Sequence, residues 1–142
     1  MKIQTSFLNL LNSLVDKNHK DRNFFVTFEI EQENNEKFGK DYSRIPQGLL
    51  IKYSAEKSFD NYTTPEFEYK VTDRNDYHHT FIMNAYYNGY LNRANYLMNN
   101  SKFDEAEILI QKAAEVKPTA PEAKKLLSKL SQLKDLQKSG NK

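Results

Sequence analysis

The chain has 142 residues, with nine Tyr and nine Phe, enough to build one ordinary domain or two very small ones packed together. It contains no cysteine, which excludes disulfides, thiolate catalysis and cysteine-held zinc. With 28% charged residues it offers no run near the ~18 apolar residues a spanning helix needs, and a net charge of +2 does not argue for nucleic acid.

The charge is unevenly placed. Residues 1–80 hold 11 Lys+Arg against 13 Asp+Glu, whereas residues 81–142 hold 10 against 6. From Lys117 onward there are seven lysines and only Glu122 and Asp135, so the tail is basic.

In chain order, residues 5–17 read as an amphipathic helix and not as a signal peptide. Phe7, Leu8, Leu11, Leu14 and Val15 recur at helical spacing, with Thr5 or Ser6 as the expected cap. The period then changes to two. Phe24, Val26, Phe28 and Ile30 alternate with Phe25, Thr27 and Glu29, which predicts a strand with one apolar face. The polar stretch 32–47 carries Gly39 and Pro46 and reads as a loop. Residues 48–55 predict a second strand with Leu49, Ile51 and Tyr53 on one side, and 67–71 a third. The helical period returns near residue 76. It predicts helices over 76–99, 103–116 and 119–137, the last with a stripe of Ala123, Leu126, Leu127, Leu130 and Leu133.

These elements predict an α+β fold. An N-terminal helix and a two- or three-stranded sheet (1–75) are expected to pack on a helical C-terminal half (76–142).

Within that half, residues 87–120 resemble a single tetratricopeptide repeat. Tyr90, Ala94 and Leu97 take the aromatic, small and large positions of its first helix. Phe103, Ala106, Ile110 and Ala113 take the large and small positions of its second, and Pro118 closes the unit. Residues 119–137 resemble the helix that caps such arrays. Arg93 stands where a leucine is usual, and Ser101 where a turn glycine is common. Roughly three repeats are normally needed for independent stability. The N-terminal half, a second copy of the chain, or the rest of a longer protein is therefore expected to cover the open face.

The order of elements carries a wider resemblance. "RNFF" at 22–25, "LLIKY" at 49–53 and "NRA" at 92–94 are similar to short motifs in the soluble C-terminal region of a bacterial family. Its members are multi-pass membrane proteins of unknown function related to protein O-mannosyltransferases. Asn23 replaces the family's proline and Lys52 its usual arginine. The resemblance implies an accessory domain with a membrane tether upstream of Met1, on the extracytoplasmic face of a bacterial membrane. Without it the expectation is cytoplasmic. It transfers no catalytic residue.

Candidate sites are few. His78 and His79, with Asp73 and Asp76, lack the spacing of a metal site and read as a polar helix start, Asp76 as its cap. Glu31/Glu33 and Asp104/Glu105 read as a strand end and a helix first turn. Lys117, Lys124, Lys125, Lys129 and Lys134 read as a solvated face, with anionic lipid as the competing reading. The tyrosines of 76–99 are the strongest candidates. Tyr86, Tyr90, Asn92, Arg93 and Tyr96 are residue types found at interface hot spots, and core packing is the competing role for the rings.

The expectation is therefore a non-enzymatic protein-interaction domain with no cofactor and no metal, whose protein partner the sequence does not name, and which binds no nucleic acid. A small-ligand or glycan module using a tyrosine-rich surface between the halves is the alternative.

Overall fold

A computed structural model describes residues 2–28, 38–65, 68 and 76–140. The fold is α+β and divides into two compact units, Met1–Tyr62 and Thr63–Lys142. The predicted strand at 67–71 and the pair Glu31/Glu33 lie outside the described residues, Glu68 apart.

The first unit holds α1 (Lys2–Asn18), β1 (Phe24–Thr27), β2 (Ser43–Gln47) and β3 (Leu50–Ser54). Helix α1 starts at Lys2, so Thr5 and Ser6 lie inside it and do not cap it. At its other end the Asn18 side chain donates to the Leu14 carbonyl at 2.8 Å. The sheet is antiparallel in the order β1-β3-β2. Strand β2 corrects the predicted loop: residues 43–47 pair with β3 despite Pro46. Proline is tolerated there because β2 is an edge strand. Gly48 and Leu49 form the two-residue turn between β2 and β3, which removes Leu49 from the predicted strand face. Gly48 has φ +60, and a tight hairpin turn calls for glycine at such a position.

The core of this unit lies between α1 and one face of the sheet. Leu8 and Val15 pack with Phe28, Phe38, Ile51 and Tyr53, and Leu11, Phe24, Val26 and Tyr42 border them. Gly39 is required on two counts. Its φ is +58, and a Cβ there would sit 2.1 Å from Cε2 of Tyr53. Its N–H donates to Asn12 Oδ1 at 2.9 Å, which ties the loop to α1.

The second unit holds α2 (Tyr77–Asn99), α3 (Phe103–Val116) and α4 (Pro121–Gly140). Asp76 caps α2 as expected, its carboxylate accepting from the His79 N–H at 2.8 Å. Helix α2 ends in a Schellman motif. The Lys102 N–H bonds the Leu97 carbonyl at 2.9 Å and the Ser101 N–H bonds that of Met98 at 3.1 Å. Ser101 takes φ +59, the left-handed conformation this motif usually gives to glycine. Ala94, Ala106, Ile110 and Ala113 are fully enclosed, which matches a close approach of α2 and α3. Helix α4 packs on α3 through a stripe in which Ala123 and Leu130 are buried and Leu126, Leu127 and Leu133 half-buried.

Candidate functional site

The predicted face of α2 divides. Tyr90 and Arg93 are 2% and 1% exposed, so neither presents its side chain to solvent. Tyr86, Asn92 and Tyr96 are half-buried. The Arg93 guanidinium lies 4.9 Å from the centre of the Tyr96 ring, a cation–π distance. Buried guanidinium charge favours such partners because it has lost water. The five residues thus share one helix, but only three offer surface.

A polar node forms where α2 meets the start of α4. The Tyr87 hydroxyl donates to Glu122 Oε2 at 3.1 Å and accepts from the buried Ala123 N–H at 3.2 Å. Burial pushes the Tyr87 phenol up from its ordinary range, and the hydrogen bond to Glu122 adds to the effect. The Glu122 carboxyl is held below the usual carboxylate range, first by its own N–H at the helix start and then by the Tyr87 hydroxyl. Lys117 donates to Asn84 Oδ1 at 2.6 Å and lies 5.3 Å from the Tyr87 ring centre.

The acidic pair at the start of α3 behaves as a helix first turn. Lys134 Nζ lies 2.7 Å from both Asp104 Oδ1 and Glu107 Oε2. That hydrogen bond holds the Asp104 carboxyl low and, with Glu107, raises Lys134. Of the lysines considered for an anionic surface, Lys117 and Lys134 are therefore engaged within the unit, while Lys124, Lys125 and Lys129 are exposed. His78 is exposed and His79 half-buried. Among the described residues no three His, Asp or Glu side chains are grouped to hold a metal ion, and no helix is long and apolar enough to cross a membrane.

In the first unit a small cleft of ≈ 220 Å³ is lined by Asn12, Asp16, Gly39, Lys40, Asp41 and Tyr42. Tyr42 donates to Asp16 Oδ1 at 2.8 Å, and its hydroxyl lies 3.3 Å from Nδ1 of His19. Burial, the bond to Asp16 and the nearby charges of Asp16 and Asp41 push this phenol up to about 12. The hydroxyl thus donates to Asp16 at neutral pH. This cleft has one aromatic wall, Tyr42.

Among the described residues, one exposed apolar stripe is on α1. Phe7, Leu10 and Leu14 are 57%, 67% and 52% exposed at i, i+3 and i+7, one stripe along the helix. The sheet covers only the neighbouring side, through Leu8, Leu11 and Val15. A second cluster lies in the first turns of α2. Tyr77 stacks on Phe81 with ring centres 6.4 Å apart, and Ile82 is also exposed.

No family model matches the chain, and no curated protein or solved structure is similar enough to be matched to it.

The helical spacing puts Phe7 and Leu14 on one apolar stripe with Leu8, Leu11 and Val15, whereas the structure buries only part of it. The signal for two stripes was Leu10, three residues after Phe7 and four before Leu14, which widens the apolar arc beyond what one small sheet covers. Tyr87 was also missed as a cap. Nothing local to residues 119–123 indicates that the acceptor comes from another helix.

Proposed function

We propose that this chain is a non-enzymatic protein-interaction module whose recognition element is the outer stripe of α1. The observation that carries the reading is the stripe itself. Phe7, Leu10 and Leu14 are exposed at the spacing with which an amphipathic helix anchors in an apolar groove. Clusters of exposed large apolar residues mark interaction sites more often than scattered ones do. The exposed Tyr77, Phe81 and Ile82 belong to the same class of surface, and Tyr86, Asn92 and Tyr96 remain the accessible part of the α2 face.

The tetratricopeptide-like reading of α2 and α3 supports this class of function. It rests on Ala94, Ala106 and Ala113 being wholly enclosed, with Leu97 and Ile110 filling the adjacent layer. The finer reading is a soluble accessory domain of a membrane glycosyltransferase-like protein. It rests on the order helix, strands, helices and on the short motifs near residues 22, 49 and 92. Spanning helices encoded upstream of Met1 in the genomic reading frame support that finer reading, and their absence there removes it.

The module is tested by affinity capture from its native cells. The wild-type chain is compared with a Phe7→Ser, Leu10→Ser, Leu14→Ser variant, which keeps Leu8, Leu11 and Val15. The expected result is loss of at least one captured protein, which then binds the purified wild-type chain and not the variant. Identical captures by both chains overturn the α1 reading.

A further inference from the structure

The sheet of the first unit has a second face, turned away from α1. The register defines it. Phe25, Lys52 and Ile45 lie in one cross-strand row, and Thr27, Leu50 and Gln47 in the next. Three of these six are large and apolar, yet they differ sharply in exposure. Phe25 and Leu50 are 44% and 38% exposed, whereas Ile45 is 3% exposed. Ile45 is also no member of the core cluster between the sheet and α1.

The two residues flanking Ile45 on this face, Gln47 along its own strand and Lys52 across the ladder, both hold Asp60. Gln47 Nε2 donates to Asp60 Oδ2 at 3.0 Å, and Lys52 Nζ lies 3.4 Å from the same oxygen. The other oxygen of Asp60 accepts the Tyr62 N–H at 2.9 Å. One carboxylate therefore gathers at least three donors. It ties Asp60, within the segment 55–62 that has no helix or strand of its own, to the two residues that flank Ile45. The side chains of Lys52 and Asp60 are 24% and 18% exposed, so the pair is partly shielded from water.

We propose that residues 55–62 are a strap across the outer sheet face, with Asp60 as its latch. Closed, the strap covers Ile45 and leaves Phe25 and Leu50 at its margin. Released, it joins Phe25, Ile45 and Leu50 into one apolar surface on three adjacent strands. The release is electrostatic, because it is a carboxylate that accepts from an ammonium, an amide and a backbone N–H together. This inference is independent of the role proposed for α1.

The test uses the full chain with Asp60→Asn, Asp60→Ala and Lys52→Met. The readouts are far-UV circular dichroism, the Ile45 δ-methyl NMR shift and the fluorescence of anilinonaphthalene sulfonate as a probe of apolar surface. The expected order of probe fluorescence is Asp60→Ala above Asp60→Asn above wild type. A rise of about threefold or more is expected for alanine, with a shifted Ile45 methyl and unchanged secondary structure. Lys52→Met keeps the aliphatic stem and should match Asp60→Asn. If Asp60→Ala does not fold, Asp60→Asn and Lys52→Met carry the same readouts with single contacts removed. Wild-type Ile45 shifts and wild-type fluorescence in the folded variants overturn the strap, since Ile45 is then covered by something that Asp60 does not hold.

Discussion

The hydroxyl of Tyr87, on α2, accepts the N–H of Ala123 in the first turn of α4 at 3.2 Å. Helix N-termini leave their first N–H groups without partners inside the helix, and an Ncap side chain usually supplies one acceptor. Here the residue before Pro121 is Ala120, which has no such side chain. The cap is supplied by a tyrosine 36 positions upstream, and the same hydroxyl donates onward to Glu122. A local signal of helix start has become a tertiary contact that joins α2 to α4. Replacing Tyr87 by Phe keeps the ring and removes both bonds, which leaves the buried Ala123 N–H unpaired. The expected loss is about 1–3 kcal/mol in urea denaturation. A smaller change than about 0.5 kcal/mol would mean that water replaces the hydroxyl.

Alkaline pH should act through two phenols. Tyr42 is pushed up to about 12 and Tyr87 is raised as well, so both are held protonated more firmly in the folded chain than in the unfolded one. A raised folded pKa stabilises the fold below the unfolded value near 10, and that contribution is lost as pH rises through the folded value. Stability should therefore fall between about pH 10 and 12. Absorbance titration of tyrosinate at 295 nm should show a late component that Tyr42→Phe reduces and that Tyr42→Phe with Tyr87→Phe removes. A late component of the same size in the wild type and in Tyr42→Phe would contradict the Asp16 contact.

Ser101 occupies the left-handed C′ position of the Schellman motif, where a Cβ is disfavoured. Ser101→Gly should stabilise the protein by roughly 0.5–1 kcal/mol, offset in part by the greater freedom of glycine in the unfolded chain. Ser101→Val should destabilise it by at least as much, since a β-branched residue fits that conformation worst. Thermal unfolding of the three proteins gives the order directly.

Gly39→Ala should be among the most damaging single substitutions of the first unit. It adds a methyl against the Tyr53 ring at a positive φ, and overpacking together with backbone strain costs about 2–4 kcal/mol. Paired with Tyr53→Leu, which frees that space, the substitution should recover part of the loss. No recovery in the double variant would assign the damage to the backbone alone.

The helices were legible because their signals are local. The period of 3.6, the Asp76 cap and Pro118 just past α3 set α2 and α3 nearly to the residue. Strand β2 was not legible, because its sequence SRIPQ has a charge, a proline and a single large aliphatic. It is held by things no local pattern contains. Arg44 donates to the Phe38 carbonyl at 3.2 Å and lies over the Tyr53 ring. Gln47 is bonded to Asp60. The α2 face was half legible for a related reason. A tyrosine serves a core or a surface equally well, so only the three-dimensional arrangement separates the enclosed Tyr90 from the half-buried Tyr86 and Tyr96. Arg93 illustrates the limit most clearly: an arginine reads as surface, yet here it is 1% exposed beside Tyr96.

If the outer stripe of α1 is where another protein docks, in-cell photocrosslinking from that stripe will capture the partner. A benzoylphenylalanine is placed at Leu10, and in a control chain at the exposed Glu115 of α3. A discrete crosslinked product is expected from position 10, absent from position 115 and lost when Phe7 and Leu14 are both changed to Ser. Equal labelling from the two positions, or none from position 10, would contradict it.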